Sequence, residues 1–318
     1  MEKLDAKDYA ILKEIDINFR QSFSKIGKKV RLSKNSVALR FEKLKEYMLH
    51  NATGLNNEIL GYTMVKVYYT FDFYDEQTEN EVIREVKKYK NILWAARFYG
   101  IYDLCVCFLV NNFDDLIFQE SEFNRKFAGK INQKDMQIIF KQVYFRHSFI
   151  HEKPIHNMYE IFKKGKKISL NDTDKKILLV LRYNPRMNVV DIAKETHLSP
   201  KTVSARMREL EKDGVITGYF LTLDLRKFKY NTFKLLFQVQ NLKKTSEFEN
   251  YIMSNKNVRY ITKMLGLWDY EVDFVYPSIS QLQEELELMK QKFPNTLRKI
   301  AILSFGKRIV TNKENFLV

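Results

Sequence analysis

Slid against itself by 166 residues, the chain meets its own pattern. Leu4, Asp8, Ile11, Leu12, Asn18, Arg20, Ile26, Lys28, Leu32, Ser33, Val37, Arg40 and Leu44 fall on Leu170, Asp174, Ile177, Leu178, Asn184, Arg186, Ile192, Lys194, Leu198, Ser199, Val203, Arg206 and Leu210. These are thirteen identities over the forty-one positions 4–44, without a gap. The same shift puts Gly100 on Gly266, Asp103 on Asp269, Leu116 on Leu282 and Lys126-Phe127 on Lys292-Phe293. A repeat this long means duplicated domains, not a stacked solenoid. Whatever one half folds into, the other is expected to fold into as well.

The clearest local signal is Leu198 to Ile216, which carries a helix start, a buried face and a stop. Ser199 suits the N-cap, since its hydroxyl accepts from a free first-turn amide. Pro200 follows at the first helical position, where no amide is lost. Val203, Met207 and Leu210 make a narrow apolar stripe. Gly214 takes the left-handed conformation that ends such a helix. The opposite face offers Lys201, Thr202, Ser204, Ala205 and Arg208, with Arg206 at its flank. Small side chains allow close approach to a major groove, and Lys and Arg reach guanines or phosphates. An ordinary solvated helix face is the plainer reading of the same residues.

The residues upstream favour DNA. Asp172 to Leu181 reads as a first helix and Val190 to Thr196 as a second, with His197-Leu198-Ser199 as the turn. That spacing fits a helix-turn-helix, and Val215 to Phe220 follows as a strand-like wing. A net charge of +15 with a pI near 9.4 supports a polyanionic partner, nucleic acid before membrane. The opening Met-Glu-Lys-Leu-Asp lacks the shape of a signal peptide, and no apolar run is long enough to span a bilayer. A cytoplasmic protein with no membrane partner is expected.

Each winged helix precedes roughly a hundred residues of a second kind. In the first half these read as strand Tyr62–Phe73, helix Glu79–Lys90, strand Ile92–Phe98, strand Leu104–Val110, helix Phe113–Lys126 and strand Gln137–Phe145. The second half repeats them as Asn231–Gln240, Thr245–Ser254, Val258–Met264, Tyr270–Val275, Ser280–Lys292 and Arg298–Phe305. The order βαββαβ is the ferredoxin-like split fold, with helices on one sheet face. The uncovered face is expected to be apolar, so such domains pair face to face. Between the middle strands both halves hold Gly-x-x-Asp: Gly100 with Asp103, and Gly266 with Asp269. Glycine allows a tight turn, and the carboxylate accepts from turn amides or from a ligand's ammonium group.

Other residues of chemical interest read more blandly. Cys105 and Cys107 share one face of a strand, a poor zinc pair and a strained disulfide, and so read as core thiols. His147, His151 and His156 cluster loosely near the junction without a spacing that fixes a shared metal face. No cofactor or metal is expected. The expected division is an α+β chain: winged helices at 1–55 and 169–222, βαββαβ domains at 56–150 and 223–318, and a linker at 151–168. Within that linker Asn157 to Phe162 suggests a short helix.

Leu-Ser-x-x-Thr-Val-x-x-Arg-Met-x-x-Leu-Glu-x-x-Gly-Val-Ile, followed by βαββαβ with Gly-x-x-Asp, resembles the Lrp/AsnC transcriptional regulators. The resemblance covers nearly the whole chain as two tandem copies. It implies DNA binding by the winged helices, through Ser199, Lys201, Thr202, Ser204, Arg206 and Arg208, and through Ser33, Asn35, Ser36 and Arg40. It also implies pairing of the βαββαβ domains, as a homo-oligomer or an intrachain pseudo-dimer. An amino acid or similar effector is then expected near Gly100, Asp103, Gly266 and Asp269. The first half departs from the pattern: Tyr47-Met-Leu-His50 replaces Asp213-Gly-Val-Ile216, while Leu39 and Glu42 replace Ala205 and Arg208.

Two other functions share the scaffold. One is an architectural protein that coats DNA. The other is a siroheme decarboxylase, a similar type of protein whose chemistry needs His and Arg around a tetrapyrrole carboxylate. Strands 62–73 and 231–240 hold neither, and the five histidines are expected outside the sheets. The sequence therefore points to a regulator and not to an enzyme.

Overall fold

The computed structural model describes residues 3–89, 91–151, 159–240 and 242–311. In chain order the elements begin with α1 (Ala6–Ile17), α2 (Phe23–Val30), α3 (Lys34–Leu44) and β1 (Met48–Leu55). Next come β2 (Thr63–Phe71), α4 (Glu76–Val86), β3 (Ile92–Tyr99), β4 (Leu104–Val110), α5 (Phe113–Lys126), β5 (Ile131–Tyr144) and β6 (Tyr159–Phe162). Then follow α6 (Asp172–Tyr183), α7 (Val189–Thr196), α8 (Pro200–Lys212) and β7 (Ile216–Leu223). The last are β8 (Asn231–Val239), α9 (Leu242–Ser254), β9 (Val258–Gly266), β10 (Tyr270–Tyr276), α10 (Ile279–Lys292) and β11 (Leu297–Thr311). Two compact units result. One comprises Met1–Asn56, Phe145–Ile161 and Ser169–Lys229; the other comprises Asn57–Tyr144, Phe162–Ile168 and Tyr230–Val318.

The first unit holds both three-helix heads. Each helix starts on a side chain that accepts the amide three residues on: Asp5, Ser22 and Ser33 in one head, Asn171, Asn188 and Ser199 in the other. Such a cap supplies a partner to an amide that the helix itself leaves unpaired. Ile11, Leu12, Ile26, Val37 and Leu44 form one buried core, and Ile177, Leu178, Ile192, Val203 and Leu210 the other. The turn into each third helix passes through a left-handed residue, Arg31 and His197, both at φ 57°. Gly214, at φ 74°, ends α8 as expected.

The wing is where the heads meet. β1 and β7 pair antiparallel with each other, from Met48 opposite Leu223 to Leu55 opposite Ile216. His50 therefore lies in a strand, against the expectation that every histidine falls outside the sheets. Repeat-related arginines also cross over. Arg20 donates to the Pro185 carbonyl at 2.8 Å, and Arg186 donates to Gln21 O at 2.8 Å and to Phe19 O. The Arg186 guanidinium also sits 4.5 Å from the Phe23 ring centre and 4.8 Å from that of Phe41. Burial, with Arg20 nearby, lowers its pKa to about 10.

The second unit holds the two βαββαβ segments. Eight strands close a ring in the order β2-β4-β3-β11-β8-β10-β9-β5, and β5 pairs back onto β2. The closure depends on two long strands. β5 uses Ile131–Ile139 against β2 and Gln137–Tyr144 against β9. β11 uses Leu297–Ser304 against β8 and Ser304–Thr311 against β3. Both strands are longer than the expected Gln137–Phe145 and Arg298–Phe305. Asn132-Gln-Lys-Asp135 looks like loop by composition, yet backbone pairing with β2 holds it extended. Tyr159–Phe162 is a strand where a short helix was expected, in keeping with the β preference of Tyr, Ile and Phe. Asn157 and Met158, and with them His156, lie outside the described residues.

Strand alternation sorts the side chains of β2 and β4. Val65, Val67, Tyr69, Val106 and Phe108 join Val82, Leu116 and Phe123 in the core beneath α4 and α5. Lys66, Tyr68, Cys105 and Cys107 occupy the other face and are buried too. That face was expected to be apolar; instead it carries a charge cluster. Lys66 Nζ lies 2.7 Å from Glu271 Oε1, Lys234 bonds both Glu271 and Asp273, and the Tyr68 hydroxyl donates to Glu271. A buried carboxylate keeps its charge only when paired this closely. Burial alone would raise the Glu271 pKa, but Lys234 and Lys66 outweigh it and hold it at about 2. The two cysteines are free thiols, and burial pushes Cys107 up to about 12.

Candidate nucleic-acid interface

The third helix of each head presents its N-terminal turn outward. In α8, Ser199 Oγ accepts from the Thr202 amide at 3.0 Å and lies 2.7 Å from the Thr202 hydroxyl. Lys201, Thr202, Ala205 and Arg208 are exposed and Ser204 is half-buried. Arg208 folds back one turn, donating from Nε to Ser204 O at 3.2 Å and from a terminal nitrogen to Ser204 Oγ at 3.1 Å. Both are weak neutral acceptors on an exposed surface, so the guanidinium is easily released to a stronger acceptor. In α3 the matching hydroxyls are Ser33 and Ser36, 2.8 Å apart, with Lys34 and Asn35 exposed beside them. Leu39 is 76% exposed, and Glu42 pairs with Lys45 at 2.6 Å.

Two residues assigned to DNA by sequence point elsewhere. Arg206 makes a two-pronged bond to Asp174, Nε to Oδ1 at 2.9 Å and a terminal nitrogen to Oδ2 at 2.8 Å. Its repeat partner Arg40 bonds Asp5 and Asp8, both at 2.7 Å. Asp8 and Asp174 are buried in the first turn of α1 and α6, where each accepts from the amide of the cap residue, Asp5 and Asn171. These arginines tie the third helix to the first. The sequence holds no cue to this, because an acidic residue in a first helical turn already has an explanation as a cap.

The structure also brings forward residues that the sequence reading passed over. Between Phe23 and Lys45 stand eight basic residues and one acidic; between the matching Val189 and Glu211 stand four of each. In α2, Lys25, Lys28 and Lys29 are all exposed. The available signal was an eight-residue helix without a single acid. The second and third helices of one head are therefore strongly basic, while those of the other are balanced in charge and varied in chemistry.

The glycine turns of the second unit are built alike. The backbone at Gly100 (φ 139°) and Gly266 (φ 154°) suits glycine only. A Cβ at Gly100 would stand 2.6 Å from Ile302 O, and one at Gly266 2.5 Å from Met136 O, so each turn lies against the long strand of the other segment. Asp103 accepts from the Phe71 amide at 2.8 Å and Asp269 from the Val239 amide at 2.7 Å. The carboxylates thus close the neighbouring strand, as turn chemistry requires. His147 and His151 both lie on one carboxylate, that of Asp16, at 2.7 and 2.8 Å. Among the described residues no group of three His, Cys, Asp or Glu is placed to hold a metal ion. No described helix is long and apolar enough to cross a membrane.

Comparison with known proteins agrees with the geometry of the heads. Residues 170–217 match the winged helix-turn-helix DNA-binding family model, and residues 4–45 match the AsnC-type helix-turn-helix domain. The chain is thus a DNA-binding transcriptional regulator of the helix-turn-helix class. It is 31% identical over 100 residues to an uncharacterized HTH-type transcriptional regulator of Pyrococcus abyssi, covering 31% of this chain and 68% of that protein. It is 29% identical over 129 residues to the uncharacterized regulator YezC of Bacillus subtilis, covering 40% and 91%. The chain belongs to the Lrp/AsnC family.

One comparison corrects the sequence reading. The fold matches that of the siroheme decarboxylase NirDL with a TM-score of 0.67, over 98% of this chain and 95% of that one, at 15% identity. Such low identity shows the fold alone. It is nevertheless a fold on which an enzyme works, so the conclusion that the chain is no enzyme is withdrawn.

Proposed function

We propose that the chain is a tandem duplication of a winged helix and a βαββαβ domain, divided as the sequence suggests, whose two heads act unequally on one DNA duplex. The observation that carries this is the contrast between the heads. α8 presents Lys201, Thr202, Ser204 and a releasable Arg208, a mixture able to distinguish base edges. α3 presents Ser33, Asn35 and Ser36 beside Leu39, within a stretch, Phe23–Lys45, of eight basic residues to one acidic, suited to gripping phosphates. Arg208→Ala is expected to reduce discrimination between a selected site and random DNA by about 1–3 kcal/mol. Arg40→Ala is expected to leave discrimination unchanged and to lower the melting temperature, because it unties α3 from the buried Asp8. Competition binding beside thermal melting measures both. Reduced discrimination in Arg40→Ala with full discrimination in Arg208→Ala would reverse the roles of the heads.

An amino acid, or a metabolite carrying an ammonium group, is read as binding where Asp269 lies exposed beside Gly266. Support comes from the family resemblance and from the position of that carboxylate at the seam of the two segments. A screen of the twenty amino acids by thermal shift tests it, with Asp269→Asn expected to abolish any shift. A screen in which none raises the melting temperature leaves the turn as architecture.

A further inference from the structure

The face that each βαββαβ segment turns away from its helices is not symmetric. Across the 166-residue shift, Tyr68 corresponds to Lys234, Cys105 to Glu271, Cys107 to Asp273, and Lys66 to Thr232. The first segment therefore brings one buried lysine and two buried neutral thiols, and the second brings a buried lysine, the buried Glu271 and Asp273, whose side chain is 16% exposed. Together they balance, two charges of each sign. The contact that joins them, Lys66 to Glu271 at 2.7 Å, crosses from one segment to the other. So does the bond from the indole of the fully buried Trp268 to the Tyr102 hydroxyl, at 2.9 Å.

Pairing like with like fails on the same inventory. Two first segments would set Lys66 against Cys105 and bury two ammonium groups without a carboxylate. Two second segments would set four carboxylates, the two Glu271 fully buried, against two lysines, and would set Trp268 against its own copy where the Tyr102 acceptor stood. An unpaired buried charge costs far more than a surface mismatch, because it loses its hydration without gaining a partner.

We propose that these interior residues are a pairing code: the uncovered face of each segment accepts the other segment and rejects a copy of itself. The code names its partner chemically, a first segment carrying Lys66 opposite a second carrying Glu271, in one chain or across two.

The test uses full-length chains. Lys66→Glu and Glu271→Lys each place like charges together, and each variant alone is expected to unfold at lower urea concentration than the natural chain. The double variant, with both charges exchanged, is expected to recover most of that loss. Unfolded together and refolded as a mixture, the two single variants are expected to form a one-to-one heterodimer, measured by native mass spectrometry. In it the first segment of the Lys66→Glu chain meets the second segment of the Glu271→Lys chain, and the remaining two segments keep the natural pair. Single variants as stable as the natural chain would overturn the proposal, as would a double variant no better than either single. A refolded mixture without heterodimer would do the same.

Discussion

Glu271→Ala is expected to destabilise the protein by about 3–5 kcal/mol, the usual consequence of removing one partner from a buried ion cluster. The loss arises less from the missing attraction than from what remains. Lys66 and Lys234 would share the interior with Asp273 alone, which lies 2.5 Å from Lys234. Urea denaturation at neutral pH measures the loss as a lower midpoint with an unchanged slope. The natural protein carries a matching pH signature. Its Glu271 carboxyl is held at about 2 against an ordinary 4.5. A depressed carboxyl adds stability that is present above the ordinary value and lost as the pH falls through the folded one. Stability is therefore expected to decline from about pH 4.5 towards 2, and Glu271→Ala to lack that part of the decline. An alanine variant as stable as the natural protein would mean that the cluster is held by its surroundings.

DNA affinity is expected to fall by about 10³–10⁵ between 50 and 200 mM salt, as for proteins that neutralise about six to ten phosphates. Two heads on one compact unit provide the cations: Lys25, Lys28, Lys29 and Lys34 from one, Lys194, Lys201 and Arg208 from the other, all exposed. Most lie on the first head, so the slope should respond unequally to mutation. Replacing Lys25, Lys28 and Lys29 with glutamine is expected to flatten the plot of log affinity against log salt by about 0.9 for each phosphate no longer neutralised. Site preference should survive that change. Fluorescence anisotropy on one selected and one random duplex, across a salt series, gives both readings. An affinity nearly independent of salt would contradict a backbone-dominated mode of binding.

What the sequence disclosed depended on how local the cause was. The heads were readable because caps and apolar stripes act within a few residues: Ser199, Pro200, Val203 and Gly214 each do what their chemistry suggests. Helix α5 was expected at Phe113–Lys126 and is found there. The less legible features have partners far along the chain. The first six residues of β5 are extended because β2 pairs with them, and that register is not visible in their polar composition. Lys66 and Lys234 stand on the face expected to be apolar, and their alternation with apolar neighbours does not name their partners; the closed ring shows them buried beside Glu271. Arg40 and Arg206 have the sequence pattern of groove-reading residues. Their carboxylate partners, Asp8 and Asp174, stand thirty-two positions away.

The long strands also set a timetable for synthesis. The C-terminal part of β5, Gln137–Tyr144, has its ladder partner in Tyr260–Gly266. On a ribosome adding about 5–20 residues per second, that partner follows about 6–24 s later. Until then the nascent chain carries an open strand edge, and β1, whose partner is β7, carries a second. Open edges recruit whatever strand is nearby, including those of neighbouring nascent chains. Synthesis on crowded polysomes should therefore favour chains that exchange segments with one another, while slow, sparse synthesis should favour chains closed on themselves.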